Sequence, residues 1–180
     1  MNNVSYKVAL GGVISSLCLL AMFLTSVAPF LYLTLPMIAG ALITIIVVEV
    51  NMSWAFLTYV AVSLLSIFVT PNKEAAVIFI LFFGHYPIKQ KLESIHTKLL
   101  KWILKFIIFN ICIVIDYQIT LHLLGIDDFA DDFAMFGKFG IYILWFLTNI
   151  IFIVYDYALS GCIEMYIKYL KPKIFGSKKK

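Results

Sequence analysis

Long apolar runs alternate with short polar breaks along this chain. Apolar residues dominate 8–28, 31–50, 54–69, 75–88, 102–124 and 139–167. A helix rising 1.5 Å per residue needs about 20 mostly apolar residues to cross a bilayer, and most of these runs come near or exceed that length. They lack the apolar–polar alternation of membrane-barrel strands. The breaks carry turn chemistry: Pro29 and Pro36 interrupt the first, and Thr70-Pro71-Asn72 closes the third run. Proline suits such places because it starts a helix well and cannot continue one. Ser26 and Ala28 mimic the small residues before a signal cleavage site. Pro29 would follow that cut directly, however, and the run before it is longer than a signal core. It reads as a retained first helix. The pattern predicts an all-α fold, one polytopic membrane domain over 1–180 with six transmembrane helices.

The fourth run is the short one. Its fourteen residues give about 21 Å of helix against a hydrocarbon core of roughly 30 Å, so a re-entrant element competes with a crossing. Lysine placement decides. Six crossings with a cytoplasmic N-terminus put Lys7, Lys89, Lys91, Lys98, Lys101, Lys105, Lys168, Lys171, Lys173, Lys178, Lys179 and Lys180 inside, and only Lys73 and Lys138 outside. Without the fourth crossing, the 89–105 block and the tail would both move out. Both termini are therefore expected in the cytoplasm. Glu74, Asp127, Asp128, Asp131 and Asp132 then face out. Leu92, Ile95, Leu99, Trp102 and Phe106 repeat at helical spacing while the lysines around them largely avoid that stripe. This predicts an amphipathic interfacial segment over about 91–101, serving as a lipid-anchored linker or as a docking surface. A basic tail follows over 168–180.

Composition sharpens the class. The apolar set makes up 63% of the chain and charged residues 13%, with a mean hydropathy of +1.00. Soluble domains carry roughly 45–50% and about 25%. Six helices leave no room for a sizeable soluble domain. All fourteen basic residues are lysine, so the planar fork that reads bases and phosphates is absent and no nucleic-acid surface is expected. Cys18, Cys112 and Cys162 sit inside apolar runs without CxxC spacing and read as packing residues. There is no Walker loop, and Ser160-Gly161 with His85 or His122 lacks a nucleophile motif. No enzyme, no catalytic residue, no cofactor and no resident metal are expected.

Ionisable groups inside a membrane cost roughly 2.5–3.5 kcal/mol at a helix centre, and they are the first functional candidates. Asp116 lies near the middle of the fifth run and Asp156 in the inner half of the sixth, while Glu49 and Glu164 sit near cytoplasmic ends. Asp116 and Thr120 share one face of their helix; Gln118 and His122 share another. Asn149, Asp156 and Ser160 line one face of the sixth helix. These faces predict either a hydrated cavity or an interhelical hydrogen-bond network. Tyr117, Tyr142, Trp145, Tyr155 and Tyr157 flank them, as walls for a flat solute or as interface and packing groups. In the first helix, Gly11 with Ser15 and Gly12 with Ser16 place small residues four apart. Such a face permits close helix contact, within this chain or with a separate subunit. The tandem acids at 127–132 form an acidic lid or a solvated loop, without the ligand spacing and glycine of a calcium loop.

Six helices in 180 residues, both ends cytoplasmic and a small-residue face opening the first helix together resemble the substrate-binding S components of energy-coupling factor transporters. That family often shows alanines four apart in helix one; here the pair is Ala9 and Val13, with Gly12 and Ser16 alongside. Phe83-Gly84-His85-Tyr86-Pro87 also looks like a motif of uncharacterised membrane proteins from low-GC bacteria, and the lysine-only, isoleucine- and phenylalanine-rich composition fits an AT-rich genome. The resemblance implies a bacterial plasma-membrane subunit that captures a vitamin-like solute or a metal ion from outside. A transmembrane coupling subunit and two ATPases would supply energy. Asp116, Gln118, His122, Trp145, Asn149 and Asp156 are the substrate-binding candidates, and Gly11, Gly12, Ser15 and Ser16 the partner contact. The rival expectation is a non-transporting membrane scaffold or accessory subunit.

Overall fold

The computed structural model of the protein describes residues 4–85, 96–124 and 139–175. Among these residues every regular element is helical and no strand occurs. The order is α1 (Val4–Leu24), a 3-10 turn (Pro29–Leu31), α2 (Thr34–Glu49), α3 (Met52–Val69), α4 (Lys73–Ile78), α5 (Lys98–Ile119) and α6 (Gly140–Met165). Three of these rods end in a wider, π-helical turn: Phe79–Phe83 after α4, Thr120–Leu124 after α5, and Tyr166–Leu170 after α6, which leads into Lys171–Phe175. Among the described residues, three helical stretches are long and apolar enough to cross a membrane: Val4–Leu24, Met52–Val69 and Tyr142–Lys173. α2 is apolar but shorter, at 16 residues.

The helices start and stop away from the hydropathy boundaries. α1 begins at Val4 and ends at Leu24, several residues earlier than the apolar run 8–28. Asn51 and Asn72 set the starts of α3 and α4, their side chains accepting the amides of Trp54 (2.9 Å) and Ala75 (3.1 Å). These are helix caps, and they pull α4 back to Lys73. α5 begins at Lys98, so the end of the expected interfacial segment is already the first turn of a helix running unbroken to Ile119. Positions 91–95, the acidic loop 127–132 and the tail 176–180 lie outside the described residues. Lys105 is buried, its ammonium 5.5 Å from the centre of the Trp102 ring, and so does not stand in a solvated lysine row.

The chain divides into two compact units, 1–124 and 125–180. In the first, α2 is central and packs against α1, α3, α4 and the π turn 79–83. Ile14, Cys18 and Met22 of α1, Ala39, Ile43 and Ile46 of α2, Ala55 and Val62 of α3, and Ala75 and Phe79 form its core. The spacing of three and four that joins these positions is one helix face apiece. Large side chains on the other faces point outward: Phe68 is 82% exposed and Leu64 59%. Gly40 marks a close approach of backbone to backbone. A Cβ there would run into the Phe83 carbonyl oxygen, and would lie 2.9 Å from that carbonyl's carbon. Tyr59 ties α3 to the same turn by donating its hydroxyl to the Ile80 carbonyl at 2.8 Å. Several helical hydroxyls are satisfied one turn back, as with Thr58 on the Trp54 carbonyl (2.9 Å) and Thr44 on that of Ala41 (2.7 Å). Apolar surroundings favour this arrangement.

Candidate functional site

The short turn 70–72 puts the end of α3 and the start of α4 at one end of the first unit. α4 packs against the π turn 120–124, which brings the end of α5 there as well. Pro71 follows α3 and Asn72 caps α4. Lys73 then folds back: its ammonium donates to the carbonyls of Ile67 (2.6 Å) and Thr70 (2.9 Å). A cation at a helix C-terminus satisfies orphan carbonyls and meets the negative end of the dipole. The next residue, Glu74, lies half-buried in the first turn of α4.

Across from it stands a column on α5. Cys112, Asp116 and Thr120 recur every four residues and so share one face. The Asp116 Oδ1 atom is buried without a hydrogen-bond partner, and so is the Thr120 hydroxyl, on a residue only 3% exposed. At this point the helix changes pitch, the Thr120 amide being shared between the carbonyls of Asp116 and Tyr117. Wide turns of this kind occur often at functional sites. The Glu74 charge acts on Asp116, and the Asp116 charge on Cys112, which places the three groups in one electrostatic neighbourhood. Lys73 is committed to the α3 carbonyls, and no ion pair to Glu74 or Asp116 occurs among the described residues. The hydroxyls of Thr70 and Ser26, near the ends of α3 and α1, are likewise buried and unpartnered. Two carboxylates and a buried hydroxyl are hard oxygen donors, suited to a cation or to a solute rich in N–H groups.

The other expected site residues fall elsewhere. Gln118 and His122 are exposed, on a different side of α5 from Asp116. Trp145, Asn149 and Asp156 belong to α6, in the second unit. There Trp145 is exposed and its carbonyl accepts the Asn149 amide at 2.9 Å; Asp156 is buried and its carbonyl accepts the Ser160 hydroxyl at 2.9 Å. Of the expected set, Asp116 alone joins the site in the first unit. Its partner Glu74 was legible only as an outward-facing acid, because an acid in a first helical turn is common for dipole reasons alone.

The small-residue face of α1 divides in two. A Cβ on Gly11 would meet the Thr58 hydroxyl of α3 at 3.6 Å, an ordinary contact, so Gly11 packs inside the unit. Gly12 has nothing within 4 Å, and Ser16 is exposed with its hydroxyl donated to the Gly12 carbonyl at 2.9 Å. Among the described residues no group of three His, Cys, Asp or Glu side chains is placed to hold a metal ion. Comparison with protein-family models, with curated proteins and with solved structures finds no match to this chain.

Proposed function

We propose that the protein is a membrane-embedded solute-binding subunit. In this reading six segments cross the bacterial plasma membrane, both termini are cytoplasmic, and a separate coupling subunit with ATPases energises uptake. The observation that carries it is Asp116, a carboxyl with an unpartnered buried oxygen that feels the charge of a second acid, Glu74. Ionisable groups within membrane segments are costly, and they mark substrate and ion pathways. A scaffold that only packs helices gains nothing from an acid held this way. The open strip of Gly12 and Ser16 leaves room on α1 for the helix of a coupling subunit.

The test is native mass spectrometry after purification in mild detergent. A bound small molecule, near one per chain, is expected in the wild type. It should be lost from Asp116→Asn and kept by Leu64→Ala, a change on the outward face of α3. A chain that never carries a solute, or an Asp116→Asn protein that retains it, would return the protein to the scaffold reading.

A further inference from the structure

Two features at the end of the first unit set its ligand chemistry. One is an excess of negative charge: α4, which carries Glu74, packs against the turn that begins at Thr120, the Glu74 charge acts on Asp116, and the neighbouring base, Lys73, is spent on carbonyls. The other is independent of charge. Thr120 is more than nine-tenths buried, its hydroxyl has no partner, and it sits one turn beyond Asp116 on the same face. A hydroxyl oxygen beside two carboxylates makes an oxygen-donor set, and positive charge is what such a set lacks. We infer that Glu74, Asp116 and Thr120 hold a small monovalent cation, either an inorganic ion such as sodium or the ammonium head of an amine. This rests on reading the acid pair as the binding centre.

The donor count argues against calcium and magnesium. Calcium takes about six to eight oxygens, and magnesium keeps a rigid octahedral shell with several waters. Two carboxylates and one buried hydroxyl offer at most five oxygens, fewer than calcium takes, and magnesium would have to bring several waters into a tight interhelical position. Transition metals would call for the imidazole or thiolate clusters that are absent among the described residues. The competing occupant is a proton shared by the two carboxyls, as in other close acid pairs. It makes a different prediction, since a shared proton is indifferent to which salt is present.

The experiment uses the full chain purified in choline chloride, whose bulky quaternary head carries no N–H donor. Sodium, potassium or methylammonium chloride then replaces choline chloride at constant ionic strength while Tm is followed. At least one of these should raise Tm saturably, by about 5–10 °C at a hundredfold excess over Kd for a chain of this size. Response to sodium or potassium identifies an inorganic ion, and response to methylammonium alone identifies an amine head. Glu74→Gln should weaken the apparent affinity tenfold or more, and Thr120→Val, nearly equal in shape, should weaken it less. Both are read beside Asp116→Asn, so a folding defect in one variant leaves the others informative. Equal Tm in every salt, or an unchanged response in Glu74→Gln, overturns the inference. Retained organic solute without any cation response overturns this inference alone. A saturable cation response in a protein that never carries solute overturns the solute-binding reading alone.

Discussion

Asp116→Asn should make the empty protein more stable while disabling the site. In the folded chain the Asp116 Oδ1 atom has no hydrogen-bond partner and the carboxyl feels the charge of Glu74. A buried polar group left unsatisfied costs about 1–3 kcal/mol, and a charged one more. Asparagine keeps the shape, removes the charge and brings an amide that can donate toward Glu74 or the Thr120 hydroxyl. The expected gain is about 1–3 kcal/mol. At roughly 2–4 °C per kcal/mol for a chain of this length, Tm should rise by about 2–12 °C. The measurement is thermal unfolding in choline chloride at pH 8, followed by tryptophan fluorescence. Glu164→Gln, at an exposed position of α6, is the control and should stay within about 0.5 kcal/mol. An unchanged or lowered Tm in Asp116→Asn would refute the reasoning, because it would mean that the folded protein already satisfies this carboxyl. A group kept at a cost to stability is a mark of function rather than of packing.

Three further outcomes are expected. On a cysteine-free background, Asp128→Cys should react with an impermeant thiol reagent from outside, whereas Ile95→Cys and Lys178→Cys should not; external labelling at 95 or 178 would refute six crossings with cytoplasmic termini. Gly40→Ala should destabilise by about 1–3 kcal/mol, since its methyl group meets the rigid Phe83 backbone, while Gly12→Ala, facing open space, should be neutral or gain up to about 1 kcal/mol; equal effects in a denaturation series would contradict the contrast. Gly12→Leu with Ser16→Leu should leave the isolated protein folded but prevent co-purification with a coupling subunit, and a loss of Tm in the isolated double variant would place that strip inside the fold instead.

Hydropathy made the helices legible because an apolar run has few other uses at this length. The ends were less so. Asn51 and Asn72 act through single side-chain hydrogen bonds that a window average does not see. The π turns at 79–83 and 120–124 are invisible in residue type, being fixed by neighbours: Gly40 lets α2 press on the first, and Tyr59 donates a hydrogen bond into it. Asp116 and Thr120 could be paired from a spacing of four. Glu74 could not, because it comes from another helix and only the α4 contact with the turn after Thr120 brings it near. Gln118 and His122 lie where their own spacing puts them. They are polar and close in sequence to Asp116, yet helical rotation turns them to another side.

The fold-back of Lys73 bears on how a ligand arrives. Lys73 and Glu74 are adjacent and formally cancel, so a charge tally of the turn gives zero. With the ammonium pinned over the end of α3, the dipole between the two side chains is fixed in direction rather than averaged by rotation. A cation diffusing near this end meets an oriented negative field, which speeds capture at low ionic strength and fades as the Debye length shortens from about 30 Å at 0.01 M to about 8 Å at 0.15 M. Capture rate and holding strength are thereby separated. Lys73 shapes the approach without touching what is held, so neutralising it would change the arrival kinetics by a route distinct from any loss at Asp116.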